Sequence, residues 1–207
     1  RALPHQWRCA FIMSSLNSLA ANLSPELVEQ LVQTGRWSAA QALAYIRQIP
    51  YEWARSWALA ALAPHLPEGL LAEALAAARA IGWEWARYRA LAALASHLPE
   101  AERRTVLAEA LAAARAIGNE AARSRALAAL APHLPEGLLA EALAAARAIG
   151  DEGNRSRALA ALAPQLPEAE RKTVLAEALA AASAIGDEWA RSWALAALAP
   201  HLPEGLL

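Results

Sequence analysis

LAEALAAARAIG, residues 71–82, returns letter for letter at residues 107–118 and 139–150, and at 175–186 with one change, Ser183 for Arg. Self-similarity of this kind makes the fold a question of repeats. Each unit buries its apolar face on a neighbour, and no single central core is needed. The repeated letters are mostly Ala, Leu, Glu and Arg, all strong helix formers. The chain has one Phe and no run of Val, Ile or Thr that would make a strand. An all-α chain is expected.

Working outward, the anchor leucines Leu71, Leu107, Leu139 and Leu175 lie 36, 32 and 36 residues apart. Short units enter through PEGLLAEAL (Pro67, Pro135) and long units through PEAERRTVLAEAL (Pro99) or PEAERKTVLAEAL (Pro167). Four extra residues add about one helical turn. Each unit reads as two helices. Helix A runs from the proline to Gly82, Gly118, Gly150 or Gly186, where a glycine is expected to take the left-handed C′ conformation. Asn119, Asp151 and Asp187 follow at once and suit the N-cap of helix B, which carries ALAALAPHLP or a close variant into the next proline. At about 100° per residue, Leu195, Leu198 and Leu202 share one arc with Arg191, and Trp189 and Trp193 lie opposite. The leucines predict the buried stripe.

Before the array the pattern degrades. Residues 36–50 form a weak copy in which 39–50 align with 71–82 and Pro50 replaces the glycine. Residues 1–36 read as a cap, with a helix from about His5 to Ala21, then Ser24-Pro25-Glu26 as an N-cap with proline at the first helical position and a short helix to Gly35. Terminal units of a repeat array differ because one face meets water. The expected fold is an all-α, right-handed α-solenoid of stacked helical hairpins, with alternating 32- and 36-residue units. It consists of an N-terminal helical cap over residues 1–36 and about five hairpins over 37–207, the last running into the start of a further helix. The chain does not begin with Met, which suggests a fragment.

Helical hairpins averaging 34 residues and closed by Pro67, Pro99, Pro135, Pro167 and Pro203 resemble tetratricopeptide-type repeats over roughly residues 37–207. That family's W-x-x-L-G-x-x-Y signature is absent, replaced by LAEALAAARAIG, and the alternating unit length also departs from it. The resemblance implies architecture, not a ligand. Arrays this regular also resemble the C-terminal sensor solenoids of bacterial STAND-type signalling ATPases, or a consensus-designed repeat.

Bulk properties exclude several classes. The net charge is −1, with 19 basic and 20 acidic residues, whereas a nucleic-acid binder normally carries a basic stripe. A single cysteine, Cys9, rules out an internal disulfide or a multi-cysteine metal site and fits a reducing, cytoplasmic setting. No apolar run approaches the roughly 18–20 residues needed to cross a bilayer. Ser14, Ser15, Asn17 and Ser18 break the apolar patch around residues 9–13, so a signal peptide is not expected.

Comparison of residues 71–138 with 139–206 leaves eleven differences in 68 positions, seven of them at the start of a helix B. The corresponding stretches read YEWARSW (51–57), WEWARYR (83–89), NEAARSR (119–125), DEGNRSR (151–157) and DEWARSW (187–193). Glu and Arg hold the second and fifth places while the other five places vary. A fixed frame with a variable patch is the arrangement of a modular recognition surface. Six of the eight tryptophans lie there: Trp53, Trp57, Trp83, Trp85, Trp189 and Trp193, joined by Tyr51 and Tyr88. Large aromatics of this kind are enriched at binding hot spots. The seventh place reads Trp57, Arg89, Arg125, Arg157, Trp193, a ladder in which Arg–Trp cation–π contact can form. These residues are the expected contacts for a protein or peptide partner. Two other readings stand beside it: inter-repeat packing, and a structural or self-assembling protein that stacks end to end, including an engineered scaffold without natural ligand.

The remaining chemistry is structural by this reading. His65, His97, His133 and His201 recur once per unit with Gln165 in the fifth copy, so none has metal-ligand spacing; they are expected to meet the last carbonyls of helix B. The Glu-x-x-Arg pairs (such as Glu52/Arg55 and Glu120/Arg123) read as salt bridges or links between units. No phosphate loop, G-x-S-x-G or cofactor motif is present. No enzyme activity, cofactor or metal is expected.

Overall fold

A computed structural model describes residues 23–201, and the expected helix at 5–21 lies outside them. Of the described residues 79% are helical and none is in a strand, which establishes the all-α class. Among the described residues there are eleven α-helices: α1 (Pro25–Gln33), α2 (Ala39–Ile46), α3 (Glu52–Leu62), α4 (Glu68–Arg79), α5 (Glu84–Ala95), α6 (Glu100–Ala116), α7 (Glu120–Leu130), α8 (Glu136–Arg147), α9 (Glu152–Leu162), α10 (Glu168–Ser183) and α11 (Glu188–Leu198). From α2 onward they alternate as helix A and helix B. The A helices alternate in length as their sequences do: α4 and α8 have 12 residues, α6 has 17 and α10 has 16.

The chain divides into two compact units, Arg1–Glu100 and Ala101–Leu207. In the first, α3 packs between α1 and α5, and α2 and α4 lie against it. In the second, α9 packs on α7 and α11 and is flanked by α8 and α10. Within each unit, consecutive hairpins pack neighbour on neighbour, as a solenoid-like fold requires. No described helix is long and apolar enough to cross a membrane.

The leucine stripe of helix B is the core of both units. Leu59, Leu62, Leu91 and Leu94 are buried in the first unit; Leu127, Leu130, Leu159 and Leu162 are buried in the second. Alanines fill the space between, including Ala74, Ala78, Ala142 and Ala146, and allow close helix approach. Helix B then ends where Pro64, Pro132, Pro164 or Pro200 removes an N–H, and the chain closes in a 3-10 turn. Ser96 replaces that proline in α5, which accordingly continues one residue further and has 12 residues where α3, α7, α9 and α11 have 11.

The entry to helix B follows the sequence at three copies. Asn119, Asp151 and Asp187 accept the amides of Ala122, Asn154 and Ala190 at 2.9, 2.8 and 2.7 Å. Tyr51 and Trp83 occupy the same place without a side-chain cap.

The glycine before this entry does not do what the sequence suggests. Gly35 alone has a positive φ, 68°, among the described residues. Helix A ends in right-handed geometry, at Ala80 and Ala148 for example. The glycines at 82 and 150 are instead approached by a carboxylate. Glu52 accepts the amides of Gly82 and Trp83 at 2.8 and 2.7 Å, and Glu120 accepts those of Gly150 and Asp151 at 2.9 and 2.8 Å. A Cβ on Gly82 would stand 3.2 Å from Glu52 Oε1, and one on Gly150 would stand 3.3 Å from Glu120 Oε1.

The arginine of each Glu-x-x-Arg turns the other way, to the carbonyl that precedes its own turn. Arg55, Arg87, Arg123, Arg155 and Arg191 donate to Ile49, Ile81, Ile117, Ile149 and Ile185 at 2.7–3.2 Å. The glutamate thus holds the following hairpin and the arginine its own. The i, i+3 ion pair is secondary, at 3.2 Å for Glu120–Arg123 and 3.9 Å for Glu188–Arg191.

Successive A helices are joined separately, by the Arg47–Glu73, Arg115–Glu141 and Arg147–Glu177 ion pairs. These pairs explain why Glu and the closing Arg of LAEALAAAR are constant. Ser183 stands in that Arg place in α10, and its hydroxyl donates to Leu179 O at 2.8 Å.

Two outcomes follow from the carboxylate clamp. Gly82→Ala presses on Glu52, while a methyl at Gly186 would meet nothing within 4 Å. Urea unfolding should therefore show Gly82→Ala less stable than Gly186→Ala by about 1 kcal/mol, with Gly186→Ala neutral or slightly stabilised. Equal losses would restore the left-handed reading. The amides of Gly82 and Trp83 also hold the Glu52 carboxyl below its ordinary range. Its contribution is present in full above the ordinary carboxylate value and is lost as pH falls through the depressed one. Glu52→Gln should open a stability gap of about 1 kcal/mol or less at neutral pH, and that gap should close in acid.

Candidate functional site

The five variable places at the start of helix B separate into surface and core. The first place faces outward throughout, and the third and seventh do so in α3 and α11: Tyr51, Trp53, Trp57, Trp83, Trp189 and Trp193 are 40–74% exposed, Arg125 and Arg157 are exposed too, and Trp85 and Arg89 are half-buried. The sixth place points inward in α3, α5, α7 and α9. Ser56, Ser124 and Ser156 are buried there, and so is Tyr88 at 8% exposure. Tyr88 is therefore a packing residue and not the exposed contact its sequence position suggests. Its ring meets Trp85 edge-on at 6.4 Å, and burial raises the phenol pKa while Arg89 opposes the shift.

In the first unit the surface residues form one aromatic cluster. The Trp83 and Trp85 rings lie 5.4 Å apart. Arg89, from α5, sits over Trp57 of α3 with Cζ 3.4 Å from the ring centroid, and 5.7 Å from that of Trp85. Part-burial lowers the Arg89 pKa, with Tyr88 countering; an arginine keeps its proton regardless, so the effect is a desolvated charge. Beside Trp57, a hollow of about 540 Å3 is lined by Tyr51, Trp53, Trp57 and the start of α1 at Leu23, Pro25 and Glu26. The Glu26 backbone amide and Ser24 keep the Glu26 carboxylate ionised below its usual range.

The second unit arranges the same places differently. Trp189 and Trp193 pair at 5.5 Å between centroids on α11. Gly153, at the third place of α9, leaves a groove of about 620 Å3 between α9 and α11, floored by alanines and walled by Trp189 and Trp193. Arg157 borders this groove but donates to Asn154 Oδ1 at 2.9 Å. The expected Arg–Trp ladder is thus realised at Trp57–Arg89, and Arg157 has a different partner.

His65 finds another partner than the one expected. His65 Nε2 lies 3.5 Å from Glu29 Oε1 and 3.4 Å from Gln33 Nε2, so it reaches back to α1 rather than to the carbonyls of its own helix. No group of three or more His, Cys, Asp or Glu able to hold a metal gathers among the described residues. Sequence reasoning missed the hollow at Pro25 and the groove at Gly153. The first requires knowing that α1 packs on α3; the second had a signal, the one glycine inside a helix B.

No protein-family model matches this chain, and no curated protein or solved structure matches it either.

A double-mutant cycle over Trp57→Ala and Arg89→Ala tests the stacked pair. Chemical unfolding should return a coupling of about 0.5–1 kcal/mol, while Trp193→Ala with Arg157→Ala should couple by less.

Proposed function

We propose that the protein is a non-catalytic binding module that recognises a protein or peptide partner through the aromatic and arginine side chains at the start of its B helices. The observation that carries this reading is the exposure of Trp53, Trp57, Trp83, Trp189 and Trp193 on an otherwise alanine-rich frame. Large apolar side chains clustered in water are unfavourable for an isolated protein and mark interaction surfaces. Two concave features, the hollow at Tyr51–Trp53–Trp57 and the groove at Trp189–Trp193, lie beside them. Aromatics and arginine are also the side chains that contribute most when a partner excludes water from them.

The likeness to tetratricopeptide and bacterial sensor arrays belongs to the same proposal, supported by unit length and the closing prolines. A cytoplasmic location goes with it, supported by the single cysteine. The test is affinity capture with wild-type bait against a Trp53→Ala/Trp85→Ala/Trp189→Ala variant. Partners retained by the wild type should be lost from the variant, with helical circular dichroism unchanged. Equal recovery from both baits would refute this surface.

A further inference from the structure

Most arginines among the described residues reach acceptors, and Arg89 is a half-buried one that does not. Arg55, Arg87, Arg123, Arg155 and Arg191 hold turn carbonyls; Arg47, Arg115 and Arg147 hold carboxylates. Arg89 lies over Trp57 with its Nε sealed from water and unpartnered. None of its N–H groups meets an acceptor among the described residues, although a guanidinium has five to offer. Stacking fixes the plane of the group, so its remaining donors are presented in a set direction without further loss of side-chain freedom.

The surroundings define what would satisfy it. Tyr51, Trp53, Trp57, Trp83 and Trp85 share its surface places and carry no charge. The nearby acid on the rim of the hollow, Glu26, is engaged by its own backbone amide and Ser24. One rigid cation held against aromatic rings matches a singly charged planar anion. A phosphate dianion would be left half-neutralised by this one guanidinium. We propose that Arg89 receives the side-chain carboxylate of an aspartate or glutamate in an acidic peptide segment, with neighbouring apolar residues of that segment lying on Trp53, Trp57 and Trp83. This rests on the partner-binding reading above and gives that partner its chemistry.

The test uses the whole protein and an array of short peptides that combine Glu with Leu, Pro or Trp, each placed beside its Gln twin and its phosphoserine twin. Glu peptides should bind about tenfold more tightly than their Gln twins. Arg89→Gln should abolish that ratio. Arg89→Lys keeps the charge but not the flat fork, and should retain part of it; an unchanged circular dichroism spectrum and a cooperative melt above the assay temperature verify that both variants fold. If Glu and Gln twins bind alike, the carboxylate inference falls while the binding surface stands. A Glu preference that survives in Arg89→Gln, or phosphoserine twins that bind most tightly, also overturns it. If no peptide binds, the inference is overturned, and affinity capture with the triple Trp variant separately decides the broader reading.

Discussion

One carboxylate holding two consecutive amides of the next hairpin is the contact on which the regularity of each unit depends. Glu52 on Gly82 and Trp83, and Glu120 on Gly150 and Asp151, join the start of one helix B to the turn that launches the next. Those amides precede a helix and have no intrahelical acceptor. The arginine three residues on closes the preceding turn by donating to its last carbonyl. Two side chains on one helical turn therefore fix two successive turns, and the leucine stripe can meet its neighbour in a single register. Apolar burial supplies the larger energy, but it is non-directional. The hydrogen bonds supply the direction.

This geometry explains which residues cannot vary. Glu and Arg act through position, and the glycine is required where a carboxylate comes within about 3.2 Å of its missing Cβ. At Gly118 and Gly186 that approach is absent, and nothing in the structure explains the glycine there. The exposed variable places lie on the same helical turn as the fixed ones yet point to water, whereas the sixth place, in α3, α5, α7 and α9, is buried and packs with the frame. The clamp takes only the backbone amide at the first variable place, at Trp83 and Asp151, so the side chain there can change without loss of those bonds.

Helix positions, the alternating lengths, the caps at Asn119, Asp151 and Asp187 and the leucine stripe are legible in the sequence because each is a local property: periodicity, a capping atom or a chain break. The reason for the glycines is not. A helix followed by glycine has a common local explanation, and the true one involves a glutamate 30 residues away. Tyr88 escapes a sequence reading for a related cause. Counting at 100° per residue gives direction about a helix's own axis, but burial depends on where neighbouring helices stand, and they cover the sixth place as well as the leucines. The candidate surface is legible as a set of places; its division into exposed, stacked and buried members is not.

Two identical segments show how much of the site is tertiary. Residues 52–65 and 188–201 have the same sequence, yet Trp53 and Trp57 are 53% and 40% exposed where Trp189 and Trp193 are 74% and 63%. In the first, Arg89 from α5 lies on Trp57. In the second, the tryptophans face a groove left by Gly153. The same aromatic pair is thus a platform for a cation in one unit and a wall in the other. What distinguishes them is their packed neighbours: α3 lies between α1 and α5, whereas α11 lies against α9 and α10. The surface of this architecture is therefore written in pairs of helices: the setting of a tryptophan depends on the residues that the packed neighbour delivers opposite it.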